Sequence, residues 1–465
     1  MSTTPQQLLS WTQTLLGANP AAKKRTLPEY LAVIPRLKSL GDLPSGTVVL
    51  VRGDVDAKPG AKVGEGDIRL RSMKDTLEFG RSKGWKQVVF GHIGREPEKS
   101  LNKVAKRLGE ILGCEVTLIE DWLDESTMKV KDAAAEKIKA AAPGSVLMLE
   151  NVRKYNVERV LWKAKPADLA KLSEPLAALA NTLADKVAKV YVNEALSAGS
   201  LDASTIAVPA AMDRVALGAY VAKEFEGPMM SCMKAQFVVF SGLKIDKLDD
   251  LDAMIGRGTV KMVITAGSLS MALKKAAAEL DGQQFGLGVA EDPAHADKPY
   301  YIPRERIEQA KRMIADGRKK GIEFVLPVDF VLQDGRASET IGPGDQQFDV
   351  GPKTSELFSK KVGEFIDWHK KHPGEPAVAF HNGVFGMFED ARFEEGTRKF
   401  IAELRRMKDA GIEVYVGGGE GGTALERYGK PDDVTHCFTA GGTVLNALGS
   451  EPVPYLVTLS MAAAK

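Results

Sequence analysis

The chain has 465 residues, enough for two or three domains of ordinary size. Its 63 Lys and Arg against 62 Asp and Glu leave a formal charge of +1, which argues against nucleic acid as a partner and against an acidic tail. Hydrophobic residues make up 44% and charged residues 27%, and no apolar run approaches the roughly 20 residues of a membrane span, so neither general disorder nor a membrane protein is expected.

The three cysteines, Cys114, Cys232 and Cys437, form no CxxC pair, which excludes a zinc knuckle or a redox dithiol and suits a reducing compartment. The opening MSTTPQQLLSWTQTLLGANP has no basic start and no long apolar stretch, so it does not read as a signal peptide and a cytoplasmic location is expected.

Residues 1–45 read as an N-terminal extension of one or two short helices outside a later core. Short Val-rich runs then recur at 47–52, 87–90, 115–119, 145–149 and 187–192. Each has four to six residues or so, bounded by Gly, Pro or polar residues, as doubly buried parallel strands are. Helical stretches at 71–83, 101–112 and 167–183 alternate with them, which implies βαβ units. The segment 215–227 reads as a connecting helix ending at Gly227-Pro228. The pattern then restarts, with strands at 236–240, 260–264, 324–328, 377–380 and 413–416 and helices at 304–319 and 354–370. The expected fold is α/β: two doubly wound parallel-sheet (Rossmann-like) domains, 46–214 and 228–449, joined by a hinge helix at 215–227, with an interdomain cleft. Residues 450–465 are expected to return to the first domain.

Ligands of open α/β sheets bind beyond the carboxyl ends of the strands. In the first half these positions hold Arg52-Gly53-Asp54-Val55-Asp56, then Asp67-Ile68-Arg69, His92 with Arg95, and Asn151-Val152-Arg153. Any one of these arginines alone reads as a surface charge. Four at successive strand ends suit a small multi-anion, because a guanidinium forks onto carboxylate or phosphate. The second half has glycine turns instead: Ser241-Gly242-Leu243-Lys244, Ala266-Gly267-Ser268, Asn382-Gly383, Gly417-Gly418-Gly419-Glu420-Gly421-Gly422 and Gly441-Gly442. Gly-rich turns are also ordinary βα connectors, but five on one rim favour a nucleotide, whose phosphates approach backbone N–H groups at helix N-termini. There is no GxxxxGK[ST], HExxH or GxSxG, so a P-loop and the common hydrolase sites are excluded. His369 and His372 lie in a Lys-rich stretch and read as surface.

From Val48 onward the chain resembles the phosphoglycerate kinase family. The resemblance rests on an ordered series: VLVRGDVDAKPG, DIRLR, GHIGR, SLNKVAKRLGEILG, LMLENVRKY, YVNEALSAG, DASTIAV, GLK, LPVDFV, DVGPKTSELF, NGVFGMFE, VGGGEGGTALERYG and TAGGT. It implies reversible phosphoryl transfer between 1,3-bisphosphoglycerate and ADP, giving 3-phosphoglycerate and ATP, with Mg²⁺ as cofactor, small molecules as the only ligands, and a monomer. It implies that Asp54, Asp56, Arg69, His92, Arg95 and Arg153 bind the acceptor. Gly242, Lys244, Lys247, Gly267, Asn382, Glu389, Gly418, Gly419, Glu420 and Gly441 would line the nucleotide site, with Glu389 on the ribose and Glu420 as the metal carboxylate. Arg69, Lys244, Gly419 and Gly442 would carry catalysis.

The chain also departs from the family pattern. Asp56 stands where the family has Asn, and 196–202 carries no basic residue where the family has His and Arg. Leu248 falls where a lysine is expected, with Lys247 beside it. The Asp-Thr pair of the metal loop is Glu420-Gly421, and a family proline is Val384. Two further readings therefore stay open: a related kinase with a different carboxylate acceptor, and a weakly active nucleotide-binding homologue.

Overall fold

The structure is a computed structural model and describes residues 2–17, 19, 25–449 and 452–465. The chain divides into two compact units, Met1–Glu226 with Pro452–Lys465, and Gly227–Glu451. Each is built on a six-stranded parallel sheet.

In the first unit the strands are β1 (Val48–Gly53), β2 (Lys86–Phe90), β3 (Val116–Ile119), β4 (Val146–Leu149), β5 (Val190–Glu194) and β6 (Arg214–Leu217), in the spatial order β3-β4-β2-β1-β5-β6. The central β1 pairs with β2 on one side and β5 on the other, Val49 lying opposite Gln87 and Val190. Burial on both faces explains why β1 reads as a continuous apolar run rather than an alternating one. The covering helices show the 3.6-residue stripe. In Asn102–Leu112, Val104, Ala105, Leu108 and Leu112 face the core, and Gly113 ends the helix at φ +60°, a conformation that costs glycine least.

Three readings of the sequence need correction here. The run at 187–192 becomes a strand only from Val190, because the preceding helix Leu169–Lys186 continues to its edge. The segment 215–227 does not begin as a helix. Val215, Ala216 and Leu217 lie in β6, paired with β5, and the helix starts at Ala219. Nor does Gly227-Pro228 end it. Proline has no N–H to donate and crowds the preceding turn, so the chain widens into a π-turn over Phe225–Met229 and runs on to Cys232.

In the second unit the strands are β7 (Phe237–Phe240), β8 (Met262–Thr265), β9 (Glu323–Val325), β10 (Val378–Asn382), β11 (Glu413–Gly417) and β12 (His436–Cys437), in the order β9-β8-β7-β10-β11-β12. β9 stops two residues before Pro327, which has no N–H for a ladder. A small antiparallel sheet of Phe330–Leu332, Ala337–Ser338 and Gln347–Val350 follows, unannounced by any apolar run because two of its strands are short and polar. The core here is aromatic, with Phe237, Phe358, Phe365, Phe385 and Phe400 packed around the sheet.

Both chain ends belong to the first unit. Helix Pro5–Leu15 opens with a Thr4/Gln7 capping box and lies on Leu169–Lys186, and Trp11 Nε1 donates to the Ile206 carbonyl at 2.9 Å. Helix Pro454–Ala463 is apolar nearly all round and packs against Leu27–Val33, β6 and the 203–211 segment. Among the described residues, no helix is long and apolar enough to cross a membrane.

Candidate functional site

In the first unit, polar side chains gather just beyond the strand ends. Asp54 follows β1 and is buried. Its Oδ1 accepts from Ser197 Oγ at 2.7 Å and lies 3.8 Å from Arg69 Nε. Burial raises the Asp54 carboxyl despite Arg69. Asp56 accepts from Arg69 Nη1 at 3.2 Å through Oδ2 and from the Gly94 N–H at 2.9 Å through Oδ1. Arg69 is thus braced between two aspartates while a quarter of its side chain stays exposed. Arg95 is exposed.

The second cluster lies deeper. Arg52, at the end of β1, is only 1% exposed. It donates through Nη2 to His92 Nδ1 at 2.9 Å and through Nε to Ser204 Oγ at 3.1 Å. Accepting at Nδ1 puts the neutral imidazole's proton on Nε2. Burial, with Arg52, Arg153 and Arg69 nearby, pushes the His92 pKa well below its ordinary value and keeps the ring neutral. Arg153 donates to the Gly94 carbonyl at 2.6 Å and lies 4.7 Å from the Trp162 ring centre. Asp202 stands among these groups. Its Oδ1 accepts from Trp162 Nε1 at 2.8 Å, and its Oδ2 lies 3.5 Å from His92 Nδ1, 3.5 Å from Arg153 Nη2 and 3.6 Å from Arg52 Nη2. Glu158 accepts from the Ser204 hydroxyl and N–H, and burial and Asp202 push it up to about 8.

Sequence reasoning named Asp54, Asp56, Arg69, His92 and Arg153, and these five lie around one rim. It counted Arg52 only among the strand-end arginines and missed Ser197 and Asp202. The 196–202 segment lacks basic residues, but it contributes a serine that donates to Asp54 and a buried carboxylate. The neighbouring cations Arg71 and Lys154 are taken up by Asp67 and Glu150.

In the second unit the rim is mostly backbone. Helices Gly267–Leu280, Glu420–Tyr428 and Gly441–Leu448 all begin beyond the strand ends. A Cβ on Gly267 would meet Gly242 O at 2.7 Å, and one on Gly418 would meet the Phe438 carbonyl at 2.6 Å and Gly441 N at 3.0 Å, so these turns close only with glycine. The first N–H groups of a helix have no partner within it and carry partial positive charge, the setting for phosphates, although the Ser268 N–H donates to the Gly242 carbonyl. Gly419 and Gly442 have nothing within 4 Å of a Cβ position and face open space. Asn382, at the end of β10, is buried with Oδ1 unpartnered.

Lys244 is exposed, and among the described residues its ammonium makes no hydrogen bond or ion pair. Lys247 donates to the Ser241 carbonyl at 2.8 Å. Burial lowers its pKa, and Glu420 opposes that shift. Leu248 is instead fully buried in the core, so of the two candidates for the second lysine only Lys247 reaches the rim. A cavity of about 500 Å³ opens beside these loops. Gly242, Gly267, Glu389 and Glu420 line it together with apolar Met271, Leu287 and Phe348. Its size and lining suit a flat heterocycle with phosphates at the glycine end.

The fold is thus two parallel-sheet units, one with a guanidinium rim and one with a glycine rim beside a cavity. The phosphoglycerate kinase family model matches residues 41–451. Phosphoglycerate kinase of Clostridium beijerinckii is 29% identical over 439 residues, covering 91% of this chain and 98% of that protein. The cytosolic phosphoglycerate kinase of Triticum aestivum is 28% identical, covering 90% and 96%. Among solved structures, the Pyrococcus horikoshii phosphoglycerate kinase aligns with a TM-score of 0.71 at 22% identity, covering 93% of this chain and all of that one. The Coxiella burnetii enzyme gives 0.65 at 22%. The chain belongs to the phosphoglycerate kinase family, whose members are phosphotransferases.

Proposed function

We propose that this chain moves a phosphoryl group between 1,3-bisphosphoglycerate and ADP, yielding 3-phosphoglycerate and ATP. The observation that carries the reading is the glycine rim: the starts of helices Gly267–Leu280 and Glu420–Tyr428 line a cavity, and Lys244, unpaired among the described residues, follows Gly242. In the reverse direction the acceptor is a carboxylate, ionised at neutral pH, so no general base is required. What remains is alignment and neutralisation of charge on the transferred group. Lys244 and the N–H groups around Gly419 and Gly442 would supply the latter. Arg69, braced by Asp54 and Asp56, would orient the acceptor, with Arg95, Arg153 and His92 Nε2–H as further donors. Asn382, Gly418 and Gly441 would flank the nucleotide phosphates, with Glu389 on the ribose side.

Glu420 is the carboxylate on the cavity wall nearest the phosphate loops, and the described residues contain no group of three metal-ligating side chains. That donor set fits Mg²⁺, which takes one or two carboxylates and completes its shell with water and nucleotide phosphates. When bound, the ion would neutralise phosphate charge. Acceptor and nucleotide are held by different units, so transfer requires closure of the two and exclusion of water. The chain passes between them at Glu226–Gly227, next to the π-turn, which we take as the hinge. One chain supplies both rims, which supports a monomer. The free cysteines and the cytosolic wheat relative support a cytoplasmic enzyme.

ATP formation from ADP and 1,3-bisphosphoglycerate, followed with purified protein, tests the reading. Activity abolished by EDTA and restored by Mg²⁺ is expected. Binding of ADP without any turnover would favour the nucleotide-binding homologue instead.

A further inference from the structure

The basic cluster of the first unit already contains an anion. Asp202 is fully buried, yet only Oδ1 is hydrogen-bonded. Oδ2 accepts no hydrogen bond and sits 3.5–3.6 Å from nitrogens of His92, Arg153 and Arg52. A buried carboxylate oxygen is costly unless charge surrounds it, and the guanidiniums of Arg52 and Arg153 supply that charge beside Asp202. The reverse also holds: their charge is partly spent before any ligand arrives. With His92 neutral, Arg52 and Arg153 face this carboxylate, so the cluster offers a ligand less positive charge than its arginines carry. A phosphate monoester carries about −1.5 to −2 charges at neutral pH, and a carboxylate carries one.

We propose that Asp202 is a specificity-determining residue, an internal counter-ion that weakens this rim for a phosphate dianion and favours acceptors presenting a single negative charge there. The proposal rests on the reading of the rim as the acceptor site. It makes 3-phosphoglycerate a weak ligand and lets a hydroxy dicarboxylate such as malate, which keeps one carboxylate for the transfer and presents the other here, compete with it. The charge comes from the segment in which sequence reasoning noted only missing basic residues, and Trp162 fixes its position from the opposite side.

Calorimetric titration of 3-phosphoglycerate and of malate into the wild-type protein and Asp202→Asn tests this. The asparagine keeps an oxygen for Trp162 and removes the charge. Asp202→Asn should tighten 3-phosphoglycerate by about tenfold or more and malate by less than about threefold. MgADP binding, in the other unit, should not change. No gain, or an equal gain for both acids, overturns the proposal. If Asp202→Asn does not fold, as judged by MgADP binding and thermal unfolding, the wild-type ratio decides. Affinities within about tenfold of each other support it, and 3-phosphoglycerate more than about a hundredfold tighter overturns it. If neither acid binds either protein while MgADP does, the acceptor-site reading itself falls, and this proposal with it.

Discussion

In the proposed function the two rims would solve the same problem, holding negative charge, with different materials. The first unit uses side chains: Arg52, Arg69 and Arg153 with their aspartates. The second uses backbone N–H groups at helix starts, placed by glycines such as Gly267, where a Cβ would lie only 2.7 Å from a neighbouring backbone oxygen. A side-chain rim is retuned by one substitution, because adding or removing a carboxylate changes the charge at once. A backbone rim keeps its chemistry as long as the turn conformation survives. The departures from the family pattern fit this contrast. Those in the first unit, Asp56 and 196–202, alter charge, whereas those among the glycine loops, Val384 and Glu420-Gly421, leave the helix starts in place.

The largest effect should come from the mobile charge on the backbone rim. Lys244→Ala should lower kcat by roughly 10²- to 10³-fold, the usual loss when one donor to a developing charge is removed, with far less change in ADP affinity. Steady-state kinetics beside ADP titration separates the two. A matching loss in affinity with kcat unchanged would make Lys244 a binding residue like those of the first unit.

Backbone dependence is tested at Gly383, which has φ +95° and would place a Cβ 2.2 Å from the Ser241 carbonyl. Gly383→Ala should destabilise the second unit by about 2 kcal/mol or more. Gly442→Ala, with open space around it, should leave thermal unfolding unchanged, so any loss of activity there reports on the ligand alone. Equal Tm values for the two variants would contradict the contrast between a closed turn and an open one.

Each unit also buries a carboxyl that burial pushes up to about 7: Glu194, accepting from the N–H groups of Tyr220 and Val221, and Asp349, accepting from those of Val350 and Gly396. A raised folded pKa means the native state holds the proton longer than the unfolded chain. The associated stability is present below the ordinary carboxyl range and is lost as pH rises through about 7. Tm should therefore fall between about pH 4 and 7, and Glu194→Gln should flatten part of that fall. A Tm that rises across the same interval would contradict it.

The smallest effect is expected at Asp56. Because it braces Arg69 and is a third exposed, Asp56→Asn should tighten 3-phosphoglycerate by no more than about fivefold, in line with about 0–1 kcal/mol for a partly exposed pair. Titration beside Asp202→Asn ranks the two. A larger gain at Asp56 would place the controlling charge at the rim's edge.

What was legible in the sequence follows the same division. Doubly buried strands advertise themselves as Val-rich runs, so β1, β2, β4 and β7 are found within a residue or two. Glycines forced by positive φ or close approach are visible one residue at a time, which is why the second rim could be read. β6 was hidden because Val215-Ala-Leu217 is too short to separate strand from helix by periodicity. Asp202 was hidden because its meaning depends on Arg52, His92, Arg153 and Trp162, which are 40 to 150 residues away in the chain. A pattern of residue types does not reveal that the one acidic residue in a loop is the one pointed at the cations.

The packing of Pro454–Ala463 onto the first unit also has a consequence for how the protein is made. A ribosome delivers residues 1–226 first, but the helix that covers β6 and the 203–211 segment is translated only after the whole of the second unit. The unit that begins synthesis first is therefore completed last, and the second unit, contiguous in sequence, is free to fold while its neighbour waits. Until then the apolar surface meant for Tyr455, Leu456 and Leu459 is open, so a nascent chain stalled near residue 450 is the form that should need a chaperone most.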